Sequence, residues 1–392
     1  MTLRSGNSSA EVEQILQVMR AIAESGNSEC KNLPPEAFNS REIFELEKKK
    51  IFDPGWILLG RTDQVARPGD YMCVDVLDEP LVMVRDGKGV LHVLSRVCRH
   101  RWADVCQGSG NTSRFVCPYH LWSYELDGRL RAAPEMKGAP GFDKSSIRLP
   151  EVRHEVWEGF VFVNLSGTAD PLAERLAPLE PYIREYDLPS WKVVATRDWG
   201  ELPWDWKVFQ DNGDCYHHMG LHKESVEPTW PASTSWDVKN NGHFTLVYCG
   251  TNKDRLVRAD DGELIMEPLF PPKPGLTATQ RTNLLLFYVL PNFFISPFPD
   301  WGIVCRVFPL GPGRIHFYHD IMVPPEAMAQ PDFQEKVAIA DKFFSDVNEE
   351  DVRVCTAVQR CLESRYAQRG SLGRLEGHNR DFTLWVARQL TA

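Results

Sequence analysis

Apolar positions recur at helical spacing over Glu11–Glu24, where Val12, Ile15, Leu16, Met19 and Ile22 fall on one side. A second such stretch covers Ser40–Ile51, with Ser40 placed to cap it and Ile43, Phe44 and Leu46 on its apolar side. Gly26, Asn27, Ser28 and Pro34-Pro35 mark a loop between them. From Trp56 the period changes to that of strands. Tyr71–Val76, Leu81–Arg85, Val90–Val97, Arg114–Glu125, Arg129–Arg131 and Val156–Leu165 are alternating or apolar runs, separated by turn signals such as Asp86-Gly87-Lys88-Gly89. They predict an all-β domain of about 110 residues, an ordinary size for one core.

The prolines and charges of Pro171–Pro189 read as a hinge into a second domain. Beyond Trp191, the runs Phe244–Cys249, Thr282–Val289, Phe293–Ser296, Gly302–Pro309 and Arg314–Met322 predict one antiparallel sheet, and Asp332–Leu362 predicts a long helix. The fold class is therefore α+β. Residues 1–52 form a helical lead-in packed on the body, 53–168 an all-β domain, and 169–392 a larger domain whose antiparallel sheet is flanked by helices.

Composition narrows the partners more than the fold. A net charge of −10 argues against nucleic acid or an anionic membrane surface as partner. No apolar run approaches the roughly 20 residues needed to span a bilayer, and the N-terminus has no signal-peptide core, so a cytoplasmic location is expected. There are ten cysteines. Cys73, Cys215, Cys249 and Cys305 read as isolated thiols in a reducing compartment rather than disulfide partners.

The chemistry concentrates in two places. The first is Cys98-Arg99-His100 and, after sixteen intervening residues, Cys117-Pro118-Tyr119-His120, each on a loop after a strand-like run. One tetrahedral zinc could take all four side chains, but zinc sites usually repeat like with like, Cys-x2-Cys and His-x3-5-His. Here each loop carries one Cys followed by one His, which gives each iron of a two-iron cluster one ligand type, as in a Rieske centre. Cys98 and Cys117 would hold one iron, His100 and His120 the other.

At these residues, and through Trp122-Ser123-Tyr124 and Asp127-Gly128, the chain resembles the catalytic alpha subunits of the ring-hydroxylating Rieske non-haem iron oxygenases. It departs at Trp102 and Leu121, where the family usually has Gly. The resemblance implies a Rieske [2Fe-2S] domain joined to a catalytic domain with a mononuclear Fe(II), and O2 as co-substrate.

The second place is Asp211-Asn212-Gly213-Asp214-Cys215-Tyr216-His217-His218-Met219-Gly220-Leu221-His222, three imidazoles beside acidic and amide groups. Oxygenases of this kind hold iron on one face with two His and one carboxylate, leaving the other face open. On a regular helix His218 and His222 share a face, whereas His217 and His222 lie about 140° apart. The resemblance selects the other pair, because Asp214, Tyr216-His217 and His222 match the family pattern position by position. An i, i+5 pair converges only across a bulge or broken turn, which Gly213 and Gly220 would ease.

The carboxylate comes from the long helix. Its apolar stripe runs Val337, Ala340, Phe344, Val347, Asp351, Val354, Val358, Leu362, so Asp351 falls on the buried face with Glu349 and Glu350 beside it. An unpaired carboxylate there costs several kcal/mol or takes up a proton, so a cation partner is implied, either a metal or a buried Arg. The resemblance also implies Asp351, since the family's third ligand lies in a Glu-Asp pair ahead of a segment matched here by Val358-Gln359-Arg360-Cys361-Leu362-Glu363-Ser364, apart from Cys361. It further implies that Asp214 carries electrons between centres, linking His120 of one chain with His217 of the next, which requires a ring of subunits such as a homotrimer. Second-layer carboxylates orient ligating imidazoles, so that role is chemically sound.

The expected function is a terminal oxygenase that hydroxylates an aromatic or other apolar small molecule. The alternative is oxidative N- or O-dealkylation by the same centre. The chain has no Gly-x-Gly-x-x-Gly fingerprint and no plant-type Cys-x4-Cys-x2-Cys run, so electrons must come from a separate ferredoxin or NAD(P)H-dependent reductase. An electron carrier would leave His217, His222 and Asp351 without purpose. A zinc-stabilised binding module would be colourless.

Overall fold

The structure is a computed structural model that describes residues 8–213, 218–238 and 242–392. It divides into two units, residues 54–172 and a unit built from 1–53 together with 173–392.

In the smaller unit, three antiparallel sheets surround a core of Val82, Val84, Leu94, Phe115, Trp122, Tyr124, Leu130 and Leu149. The four-stranded sheet orders Leu91–Ser95, Glu79–Arg85, Asp70–Val76 and Ser109–Asn111. Two predicted runs are broken. Val156–Leu165 is a hairpin, Arg153–Trp157 and Phe160–Asn164, turned at Glu158 and Gly159 with φ of 50° and 80°. Arg114–Glu125 keeps strand only at Phe115–Val116 and Ser123–Tyr124, because the loop between them carries Cys117 and His120.

The larger unit is centred on a seven-stranded antiparallel sheet. Its order is Lys192–Leu202, Arg314–Val323, Gly302–Gly311, Phe293–Pro297, Asn283–Val289, Phe244–Gly250, Ser235–Val238. The two edge strands were not expected. Lys192–Leu202 is a half-exposed, charge-bearing edge whose apolar period is weak. The expected hinge at Pro171–Pro189 is instead a series of short helical turns, Leu172–Leu176, Glu180–Ile183 and their neighbours, that bury Leu176, Leu179, Ile183, Tyr186 and Leu188.

The helix Phe333–Leu362 runs thirty residues. Its buried face holds Val337, Ala340, Val347 and Asp351 as expected, with Phe344 only part-buried. It then turns to Cys355 and Gln359, four residues apart, leaving Val358 exposed. Gln359 is drawn in because its amide accepts from the Asp205 backbone N–H (2.8 Å) and donates to Asn39. Helix Arg41–Glu47, continued by a π-turn at Lys48–Phe52, is tied to the same unit through buried Glu47. Glu47 lies 2.6 Å from Lys207 Nζ and accepts from Trp206 Nε1 (2.8 Å), while Lys207 also meets Asp205 at 2.6 Å. Among the described residues no helix is long and apolar enough to cross a membrane.

Candidate metal centres

The loops that carry Cys98 and Cys117 have one backbone design. Each cysteine carbonyl accepts the N–H four residues on, from Trp102 (3.0 Å) and Leu121 (3.1 Å). Each of those residues sits in the left-handed region, φ 59° and 60°. The loops therefore turn back sharply, and Cys98 N–H and Cys117 N–H reach Ala103 and Trp122 carbonyls. An L side chain in that region costs roughly 1–2 kcal/mol, which a glycine would avoid.

Both thiols are buried. The His100 and His120 rings lie 4.6 Å apart, and Trp122 stacks on His100 at 4.7 Å with a 6° interplanar angle. The Tyr124 hydroxyl is 3.2 Å from Cys98 Sγ and accepts the Arg99 N–H at 3.0 Å. What remains is the pair of Nδ1 nitrogens of His100 and His120, both buried and without a hydrogen-bond partner. Two orphaned imidazole nitrogens on the same two loops as two buried thiols fit a cluster that takes nitrogen on one iron and sulfur on the other.

The second centre is built on the larger unit. Helix Trp206–Asp211 is capped by Asp205, whose side chain accepts the Lys207 N–H. Its far end is pinned by His378 Nε2, 2.7 Å from the Gln210 carbonyl, and by Asn379 on Asp211. Gly213 follows, its carbonyl taken by the Tyr288 hydroxyl at 2.6 Å. A Cβ there would stand 2.6 Å from the Tyr288 ring, so only glycine fits. Asp214 and His217 lie outside the described residues. The chain then runs in helical turns, with His222 N–H to His218 O at 2.9 Å and Val226 N–H to His222 O at 3.0 Å.

His218, His222 and Asp351 converge, with one candidate ligand atom from each lying within 4.8 Å of the others. His222 Nε2 is 3.1 Å from Asp351 Oδ1. Its Nδ1 is 2.7 Å from Glu350 Oε2, which also accepts from Ser225 Oγ at 2.7 Å. With the ring proton on Nδ1, the Nε2 lone pair faces a carboxylate oxygen. Both atoms are buried without a hydrogen bond. Two acceptors in that position need a cation between them, and donors bonded at about 2.1 Å and right angles sit about 3.0 Å apart. Burial alone disfavours the His222 imidazolium, but Asp351 and Glu350 outweigh it and raise its pKa.

Sequence reasoning placed Glu350 beside Asp351 without a role, and it missed Ser225, Tyr288 and His378. The only available signal was the Glu-Asp pair itself, since the others act from distant elements.

The family model described as "Ring hydroxylating alpha subunit (catalytic domain)" matches residues 185–392, and that described as "Rieske [2Fe-2S] domain" matches residues 55–147. The chain belongs to the ring-hydroxylating alpha-subunit family and is a Rieske non-haem iron oxygenase, working with a [2Fe-2S] cluster, mononuclear iron and O2. It is similar to the glycine betaine monooxygenase oxygenase subunit of Chromohalobacter salexigens, 29% identical over 373 residues that cover 88% of this chain and 82% of that protein. It is also similar to the carnitine monooxygenase oxygenase subunit of Acinetobacter pittii, 28% identical over 343 residues, 85% of each chain. In fold it resembles naphthalene 1,2-dioxygenase from Rhodococcus sp., with a TM-score of 0.82, 21% identity, and coverage of 98% of this chain and 99% of that one.

Proposed function

We propose that this chain is the oxygenase component of a monooxygenase acting on a quaternary ammonium compound, in place of the aromatic substrate first expected. Both similar monooxygenases named above act on trimethylammonium zwitterions. The observation that carries the reading is the convergence of His218 with His222 and Asp351, because His218 also lines an open groove of about 420 Å3. Met219, Leu221, Val354 and Val358 line that groove together with the carboxylate residue Asp211. The groove also carries Asn212 and His218, and its mix of apolar side chains with one carboxylate residue suits a methylated cation, which has no hydrogen to donate and a diffuse charge.

Cys98, His100, Cys117 and His120 hold the cluster, and His222 and Asp351 hold the iron with one imidazole of the His217–His218 pair. The family pattern favours His217, while the described geometry brings in His218. When bound, the cluster supplies electrons singly and the iron activates O2. Glu350 keeps the His222 proton on Nδ1, so that Nε2 is free to ligate, and Ser225 holds Glu350 in place. In the net reaction one oxygen atom enters an N-methyl C–H bond. The other leaves as water, with two electrons from a separate reductase or ferredoxin and two protons. The resulting N-hydroxymethyl cation releases formaldehyde and leaves the protonated tertiary amine. Asp214 links neighbouring subunits of a homotrimer.

The test is turnover of the cluster- and iron-loaded enzyme with a surrogate reductase on glycine betaine, carnitine, choline and naphthalene. Formaldehyde or another aldehyde from the cations is the expected product. A cis-diol from naphthalene with no product from any cation overturns the assignment.

A further inference from the structure

Cys73 does not sit alone. It lies on strand Asp70–Val76, and its Sγ is 3.6 Å from Sγ of Cys106, at the end of the segment that carries Cys98 and His100. Register explains the meeting, because Cys73 N–H bonds the Gly108 carbonyl (2.8 Å) as the chain leaving that loop pairs with this strand. Both thiols are part-buried and thus reachable by a small oxidant.

The surroundings make the two thiols unequal. The Arg96 guanidinium is bound by Asp75, faces Asp104 at 3.6 Å and acts on the Cys73 thiol as a nearby cation. The Cys106 thiol hydrogen bond, together with Arg96, holds the Cys73 thiol below its ordinary pKa, while Cys106 is pushed up by that same hydrogen bond and by burial. A thiolate beside a cation, with a second thiol in reach, is the arrangement in which a cysteine is oxidised and then resolved.

We propose that Cys73 and Cys106 form a peroxide-oxidisable dithiol site, in which Cys73 is the attacking thiolate and Cys106 the resolving thiol. The oxidant is hydrogen peroxide, the two-electron reduction product of the O2 this enzyme consumes. Cys73 sulfur attacks one peroxide oxygen, the O–O bond breaks, hydroxide leaves and a sulfenic acid forms. Cys106 sulfur then displaces the sulfenic oxygen as a second water. Overall two thiols and one peroxide give one disulfide and two waters. Closing the bond needs the sulfurs to move from 3.6 Å to about 2.05 Å. The product ties strand Asp70–Val76 to the end of the first cluster loop.

The test uses the full chain, cluster-loaded and purified without air, treated with one equivalent of hydrogen peroxide, alkylated and mapped without reduction. The expected result is a Cys73–Cys106 cross-linked peptide and the loss of two alkylatable thiols per chain, reversed by dithiothreitol, with cluster absorption unchanged. In Cys106→Ser the oxidation stops at a Cys73 sulfenic acid captured by dimedone, and in Cys73→Ser Cys106 stays reduced. The proposal is overturned if both thiols remain alkylatable in the wild-type chain, if other cysteines pair instead, or if cluster absorption is lost in step with the disulfide.

Discussion

Glu350 Oε2 stands 2.7 Å from His222 Nδ1, on the side of the ring opposite Asp351. The two adjacent carboxylates of one helix thus grip both nitrogens of one imidazole. Removing the outer one in Glu350→Ala leaves the ring free to turn and to choose its tautomer. Iron affinity is expected to fall about 10- to 100-fold. Glu350→Gln, whose amide oxygen still accepts the Nδ1 proton, should recover most of it. Iron titration against unchanged cluster absorption reads this directly, and equal iron binding by Glu350→Ala and wild type would sink the assignment.

The His217–His218 question has a simple reading in metal content. His217→Ala is expected to abolish mononuclear iron while leaving the cluster. His218→Ala should keep the iron but disturb the groove and raise KM. The reverse pattern assigns the ligand to His218, the imidazole that the described geometry places beside Asp351.

Trp102 and Leu121 hold left-handed backbone with side chains 82% and 62% exposed. Their truncation therefore removes little buried surface. Trp102→Gly should be more stable than Trp102→Ala by about 1 kcal/mol, since both lose the indole and only Gly relieves the φ of 59°. The same ordering is expected at Leu121. Denaturant unfolding followed by cluster absorption measures the difference, and an Ala variant as stable as its Gly partner would show that the loop carries no such strain.

Asp300 is 2% exposed, and its Oδ2 accepts the N–H groups of Leu269 and Phe270, each at 2.6 Å. Burial overrides those bonds and pushes its pKa up to about 7. Between the ordinary carboxylate value and about 7, the folded chain keeps a proton that the unfolded chain has released. Stability therefore falls as pH rises through that window, by up to roughly 1.4 kcal/mol per pH unit, and levels off above it. Asp300→Asn lacks this term. The Tm difference between Asp300→Asn and wild type should grow from pH 4 to 7 in favour of the variant, and a flat difference contradicts the account.

Much of this was legible in the chain. The paired Cys-His loops declare themselves by residue type and spacing, which metal chemistry constrains tightly. So does the imidazole-rich stretch from which His218 and His222 reach Asp351, although the preferred His217 lies outside the described residues. Strands such as Phe293–Pro297 and Gly302–Gly311, buried nearly throughout, show as apolar runs. The failures have physical causes. Lys192–Leu202 is an edge strand with little apolar signal, and the buried face of the long helix swings to Gln359 because one amide is needed by Asp205. Pairings between elements far apart in sequence, such as Cys73 with Cys106 or Glu350 with His222, leave no local trace at all.

The helix Ser9–Ser25 packs against the helix Gly377–Thr391, so the larger unit is closed by two elements about 350 residues apart with the Rieske domain spliced between its parts. At 5–20 residues per second, synthesis of the intervening chain takes roughly 20–70 s. The inserted unit can finish folding on the ribosome during that interval, whereas the iron-binding unit waits with Ile15, Met19 and Ile22 uncovered until its distal partner emerges. Cluster delivery can therefore precede iron delivery, and a chaperone that shelters an early amphipathic helix should raise the yield of iron-loaded enzyme more than that of cluster.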